Sequence, residues 1–296
     1  MKNKWKAIGW SAVYMAILFG AQFVLIFSYM GAMVISGLRM GLDPQSDTMN
    51  DFIMGAAQLL EKGAGLIIIS GLVDVIVLAC LGLWYYFREN KYDFRPNYKK
   101  AFTVKNILAL VGLGFFGQYA INWIMMGVQL VAPSLMEKYE ELAKNFDMST
   151  APPIIMISIV CIVGPLTEEV VFRGMIYGKL RRAFSFWPAA IISSILFGIF
   201  HMNWVQGIYA TVVGLALAYI YERTQTIWGC SLLHMFFNSC SYVTSFLHEQ
   251  LKKMGEIPSS IIIIAVQVAS VAIVVVLLRH FRTRRVIKNE NICEIR

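Results

Sequence analysis

Charge is what this sequence has least of. Asp, Glu, Lys and Arg make up only 15% of its 296 residues, where a soluble domain carries about 25%. The scarcity is uneven as well: between Lys6 and Arg39 there is no charged residue at all. Such runs exclude a disordered or soluble globular chain, and that one is too long for the apolar stretch of a cleaved signal. Cysteine is sparse too, with five residues and no CxxC pair, which excludes a disulfide framework and a cysteine-ligated metal. Four of the five (Cys80, Cys161, Cys230, Cys240) sit in apolar runs, where a free thiol packs as a small hydrophobe. Cys293 is the fourth residue from the end, at prenylation-box spacing, but Glu294 and Arg296 suit that box badly. HExxH, GxSxG and Walker sequences are absent. Gly112-Leu-Gly114-Phe-Phe-Gly117 matches GxGxxG, yet it lies inside a long apolar run with no strand before it, so these glycines read as close-packing positions between helices.

What is present is apolar, at 58% of residues. A helix needs about 20 such residues to cross the hydrocarbon core. Eight runs qualify, at about 8–37, 64–87, 103–132, 153–178, 187–203, 205–222, 227–247 and 259–279. The fifth and sixth are short, with a tight turn near Met202-Asn203-Trp204 between them. The expected fold is all-α: a polytopic membrane protein with about eight transmembrane helices and both termini cytoplasmic. The net charge of +8 supports this orientation rather than a nucleic-acid partner, because the basic residues lie in loops and not on one face. With the N-terminus inside, 19 of the 26 Lys and Arg residues fall on the cytoplasmic side and six on the other. Arg173 falls within a helix. The chain reads as a single membrane domain, 1–296. Residues 1–150 hold helices one to three with external loops at 38–63 and 133–152, and residues 151–296 hold a denser core. The acidic residues of those loops read as solvated loop or short interfacial helix.

The core carries residues that hydrocarbon rejects. Glu168, Glu169 and Arg173 lie within six residues of one another, and a charge at mid-membrane costs about 2.5–3.5 kcal/mol on the insertion scale. They must face the bundle interior. Glu169 and Arg173 are i,i+4 with the acid N-terminal, so they can pair on one helical face. Glu168 points about 100° away and has no cation so placed, which leaves it as the candidate general base. Two of the four histidines, His201 and His234, are embedded in apolar runs, and His234 shares a face with Asn238 at i,i+4. Counted along their helices from the cytoplasmic ends, Glu168, His201, His234 and Asn238 lie about 15, 21, 10 and 16 Å deep. One cavity, in the cytoplasmic half or the middle of the membrane, could hold all four. Glu would there activate water, while His and Asn hold a metal or an oxyanion. Asp74, in the second run, suggests no role beyond an interior polar contact.

These motifs resemble the CAAX protease and bacteriocin-processing (CPBP/Abi) family of intramembrane metalloproteases. The family carries Glu-Glu-x-x-x-Arg, Phe-x-x-x-His and His-x-x-x-Asn on successive helices. Here they read Glu168-Glu169-Val-Val-Phe-Arg173, Phe197-Gly-Ile-Phe-His201 and His234-Met-Phe-Phe-Asn238, within about 160–245. The resemblance implies a glutamate-dependent CAAX prenyl protease-like peptidase of the cell membrane with its site opening to the cytosol. It casts Glu168, Glu169, Arg173, His201, His234 and Asn238 as the catalytic set, and Zn2+ as a possible cofactor on Glu168, His201 and His234. Asn is a poor zinc ligand, and a Glu spent on zinc cannot also be a free base. The substrate would be a peptide or lipidated protein tail in the bilayer, without nucleic acid. Two rival readings are a non-enzymatic bacteriocin-immunity or scaffold protein and a proton-coupled transporter. The second lacks the repeated halves that transporters show.

Overall fold

The computed structural model describes residues 2–61, 64–89, 102–145 and 152–282. Cys293, the basic residues between Lys91 and Lys100, and those after Arg282 lie outside the described residues, as do Lys62 and Asp147. The described residues are helical throughout, with no strand. In chain order the helices are α1 (Lys2–Arg39), α2 (Asp47–Glu61), α3 (Ala64–Trp84), α4 (Val104–Val131) and α5 (Pro133–Asn145). There follow α6 (Pro153–Ala183), α7 (Phe186–Phe200), α8 (Trp204–Thr224), α9 (Ile227–Lys252) and α10 (Glu256–His280). Each of the eight apolar runs is a helix, and α2 and α5 occupy the two loops read as external. Six of the ten helices (α1, α3, α4, α6, α8 and α10) are long and apolar enough to cross a membrane. α7 has only 15 residues, about 22 Å of helix, short of a hydrocarbon core of about 30 Å. α9 has the length but spends its apolarity on polar side chains, His234 and Asn238 among them.

Local chemistry sets the helix ends. The Thr103 hydroxyl caps α4 through the Asn106 N–H, and the Asn203 side chain caps α8 through that of Gln206. The tight turn between α7 and α8 is made by Met202 at φ 55°, followed at once by that Asn203 cap. α6 widens twice into π-helix, at Ser158–Val163 and Val170–Tyr177. The first widening precedes Pro165, which has no N–H to donate, and the Gly164 N–H reaches back five residues to the Ile159 carbonyl.

Packing inverts the pattern of a soluble protein. On α10, Ile257, Ile261, Val268 and Val276 face outward, while Ser259, Gln267 and Ser270 are buried. α6 is the central helix; Val170–Tyr177 are buried without exception, as expected of a helix surrounded by others. It packs against α1, α3, α7 and α9. The GxGxxG glycines act as close-packing positions. A Cβ on Gly114 would stand 2.8 Å from the Phe236 carbonyl carbon of α9, Gly117 faces the Phe237 ring, and Gly112 meets Leu277 of α10. The starts of α1, α4 and α9 and the ends of α6 and α10 gather at one end of the bundle. There Lys4 lies over the Phe184 ring, Lys179 over Trp10, Phe102 against Trp228, and His280 is bonded to Asn106.

Candidate active site

α6 brings Glu169 and Arg173 to one face, and the wholly buried pair closes at 2.9 Å. The Arg173 guanidinium is fixed on two further sides. Its Nη2 donates to the Gly214 carbonyl of α8 at 3.2 Å, and its Cζ lies 4.5 Å from the centre of the Phe197 ring. Gly214 permits this approach, since a Cβ there would sit 3.2 Å from Nη2. The same Glu169 oxygen meets His234 Nδ1 at 2.9 Å. Glu169, pinned by Arg173, thereby orients an imidazole on α9. Facing a carboxylate, Nδ1 donates, and Nε2 is left toward Glu168 Oε2, 3.7 Å away. The i,i+4 pair expected from the sequence is present, and it is one half of an inter-helix triad.

His201 ends α7. Its Nδ1 donates to the Phe197 carbonyl at 2.9 Å, and Phe197 stacks edge-on against both histidines. Phe197 is thus the spacer between His201, His234 and Arg173. Asn238 donates to the Val160 carbonyl of α6 at 2.8 Å, tying α9 to the first π-helical turn. Gln118 of α4 donates to the Phe237 carbonyl at 2.7 Å and holds the same stretch of α9 from the other side.

Glu168, His201, His234 and Asn238 all line one cavity of about 890 Å³, whereas Glu169 and Arg173 lie behind its wall. The cavity also contains Asp74, whose position sequence reasoning missed. The Asp74 carboxylate lies beside Gly164, one turn before Glu168, and its carbonyl accepts from Thr167. An acid inside an apolar run was the available signal, but no periodicity could say that α3 faces α6. Tyr139 and Tyr209, which bond to each other, and Gln206 are further polar wall residues with no motif to announce them.

The metal expectation meets a mixed geometry. Each histidine offers Nε2 while its Nδ1–H is held by a carboxylate or a carbonyl, as ligating histidines are held. Yet among the described residues no three His, Cys, Asp or Glu side chains are placed to hold a metal ion. Glu168, His201 and His234 are therefore not assembled as a three-ligand zinc site.

The cavity lies toward one end of the bundle. On α6 the cavity wall runs from Ile159 to Glu168, on α8 from Gln206 to Val213, and on α4 from Gln118 to Met125. All three stretches extend away from the basic end. Toward that end the core is closed by Phe172, Tyr177, Leu180, Leu217 and Tyr221, none of them exposed. Depth counted along single helices could not reveal this, because it carries no information on which end the packing seals.

The fold and site together define the class: an all-helical, multi-pass membrane protein with a polar cavity enclosed by its core helices. Within that class, residues 150–240 match the family described as Type II CAAX prenyl endopeptidase Rce1-like. The resemblance read from the three motifs is borne out on that segment. The chain is 32% identical over 126 residues to the "Putative membrane peptidase YdiL" of Bacillus subtilis, covering 43% of this chain and 51% of that protein. It is 28% identical over 160 residues to the "Membrane-embedded CAAX protease MroQ" of Staphylococcus aureus, covering 47% and 64%. With "UPF0177 protein YaiF" of Lactococcus lactis it shares 27% over 192 residues, 62% of this chain and 82% of that one. The chain thus spans about half the length of the first relative and less than two thirds of the second. No solved structure matches significantly.

Proposed function

We propose that the chain is a glutamate-dependent intramembrane endopeptidase of the cell membrane, acting on a membrane-associated peptide or a lipidated protein tail. The observation that carries this reading is His234, held by Glu169 at 2.9 Å and directed at Glu168, which stands free at the cavity wall. The Rce1-like match over 150–240 supports it.

In this reading Glu168 accepts a proton from water as the water oxygen attacks the peptide carbonyl carbon. His234 stands beside that carboxylate, its Nε2 3.7 Å from Oε2. The oxyanion is met by the Asn238 N–H that Val160 does not use. The proton on Glu168 then passes to the leaving amine as the C–N bond breaks. Glu169 and Arg173 touch no substrate and are positioning residues. No step is routed through a metal, since the three expected ligands are not assembled.

Glu168→Gln keeps the shape and removes the base. With the purified protein in vesicles, peptide cleavage should fall by about 10²–10⁴-fold, the usual contribution of a general base. Thermal unfolding in detergent should stay unchanged. Full cleavage by a well-folded Glu168→Gln protein would refute the reading. Comparing membrane peptides in cells carrying wild type and variant identifies the substrate.

A further inference from the structure

Two acids of the core helices are held by cations: Glu169 by Arg173, and Glu222 by Arg181. Asp74 has no such partner. Among the described residues no side chain donates to its carboxylate, and the residue lines the cavity. Its place is nonetheless fixed. Gly71 lets α3 approach α6, since a Cβ there would stand 2.6 Å from Ile159, and the Asp74 carbonyl accepts from the Thr167 hydroxyl at 3.1 Å. Ile67, Ser70 and Asp74 follow one another along the cavity face of α3. The carboxylate thus stands beside Gly164, one helical turn (about 5.4 Å) before Glu168.

The histidines of the wall add acceptors rather than cations. His201 and His234 each spend Nδ1–H on a carbonyl or a carboxylate, which leaves Nε2 as an acceptor. His234 is only 4% exposed, and no hydrogen bond occupies that nitrogen. No Lys or Arg is among the described residues that line the cavity, and its volume of about 890 Å³ suits several side chains of a ligand. Two carboxylates in a wall without a cation attract one from the ligand.

We propose that Asp74 selects the substrate by pairing with a lysine or arginine side chain close to the scissile bond. An extended peptide advances about 3.3 Å per residue, so a cation one turn from Glu168 belongs to a residue within about two positions of that bond. Arginine would fork onto both carboxylate oxygens, and lysine would meet them as a point charge. The preferred substrate is then a basic membrane peptide rather than a wholly apolar segment. This inference rests on the peptidase reading for the bond that is cut, while the binding it asserts needs no cleavage.

The test uses the full-length protein in detergent with Glu168→Gln in place, which leaves Asp74 as the one carboxylate among the described residues of the wall. The probes are three dye-labelled peptides of alanine and leucine with a central lysine, norleucine or glutamate. By fluorescence anisotropy, the lysine peptide should bind about 10–100-fold tighter than the norleucine peptide, the range of a hydrogen-bonded charge. Asp74→Asn should erase that ratio, and Asp74→Lys should turn the preference to the glutamate peptide. Asp74→Glu keeps the charge and should keep the lysine preference; thermal unfolding checks that each variant is folded. Equal binding of the lysine and norleucine peptides would overturn the proposal, as would a lysine preference that survives Asp74→Asn. Failure of all three peptides to bind would sink it as well. Full cleavage by Glu168→Gln would instead remove the peptidase reading, and it leaves the ratio of affinities untouched.

Discussion

At the scale of single residues, the site is an argument about Arg173. Its guanidinium is fully buried and meets a carboxylate, a carbonyl and an aromatic face at once. Removing one partner of a buried pair strands the other charge, at a cost of about 3–5 kcal/mol. Arg173→Met should therefore lower the unfolding temperature in detergent, and it should release the orientation of His234 as well. Arg173→Lys retains the charge but lacks the planar fork, so it should recover part of the stability and little of the cleavage rate. Equal cleavage by Arg173→Lys and wild type would show that the fork does not position the imidazole. The pairing of Glu169 with Arg173 was legible in the sequence because i,i+4 geometry belongs to one helix. The bond from Glu169 to His234 was not, since it crosses 65 positions between two helices.

Among the helices, position depends on how closely backbones approach. α9 carries His234 and Asn238, and it rests on α4 at Gly114, where an added Cβ would meet the Phe236 and Phe237 backbone under 3.0 Å. Gly114→Ala should push α9 outward, destabilising by about 1–3 kcal/mol as overpacking does, and slow cleavage by displacing both side chains. Gly127, on the same helix with nothing within 4 Å of its added Cβ, supplies the control. Gly127→Ala should be neutral or slightly stabilising through helix propensity. Matching melting temperatures for the two variants would sink this account of α4–α9 packing. Gly214→Ala should act by a second route, because its Cβ intrudes on Arg173 and Ser194 rather than on backbone. A sequence can mark such glycines as small, but it cannot name the helix that comes close.

For the whole molecule, the exterior is the apolar side. Phe23, Phe27, Ile35, Leu72 and Val276 are among many exposed hydrophobic side chains, a surface that water does not tolerate and lipid does. The protein should leave the membrane only in detergent and aggregate on its removal, as sedimentation would show. Orientation can be measured with a phosphatase reporter, which is active only outside the cytoplasm. Placed before Lys2 it should be inactive, and placed after the α5 helix it should be active. The reverse pattern would overturn the orientation read from the basic residues.

The sequence alone determined the all-helical class, the position of each apolar helix and the residues of the three motifs. Those properties are local: length, hydropathy and i,i+4 spacing act within one segment. Scarcity of charge was itself the strongest signal, because each ionisable group left in an apolar run needed a partner. Only the tertiary structure decided which partners they found. It joined His234 to Glu169, brought Asp74 to the wall beside Glu168, and set Phe197 between the histidines. It also sealed one end of the cavity and left its walls extending toward the other, a choice made by side chains from separate helices competing for the same space.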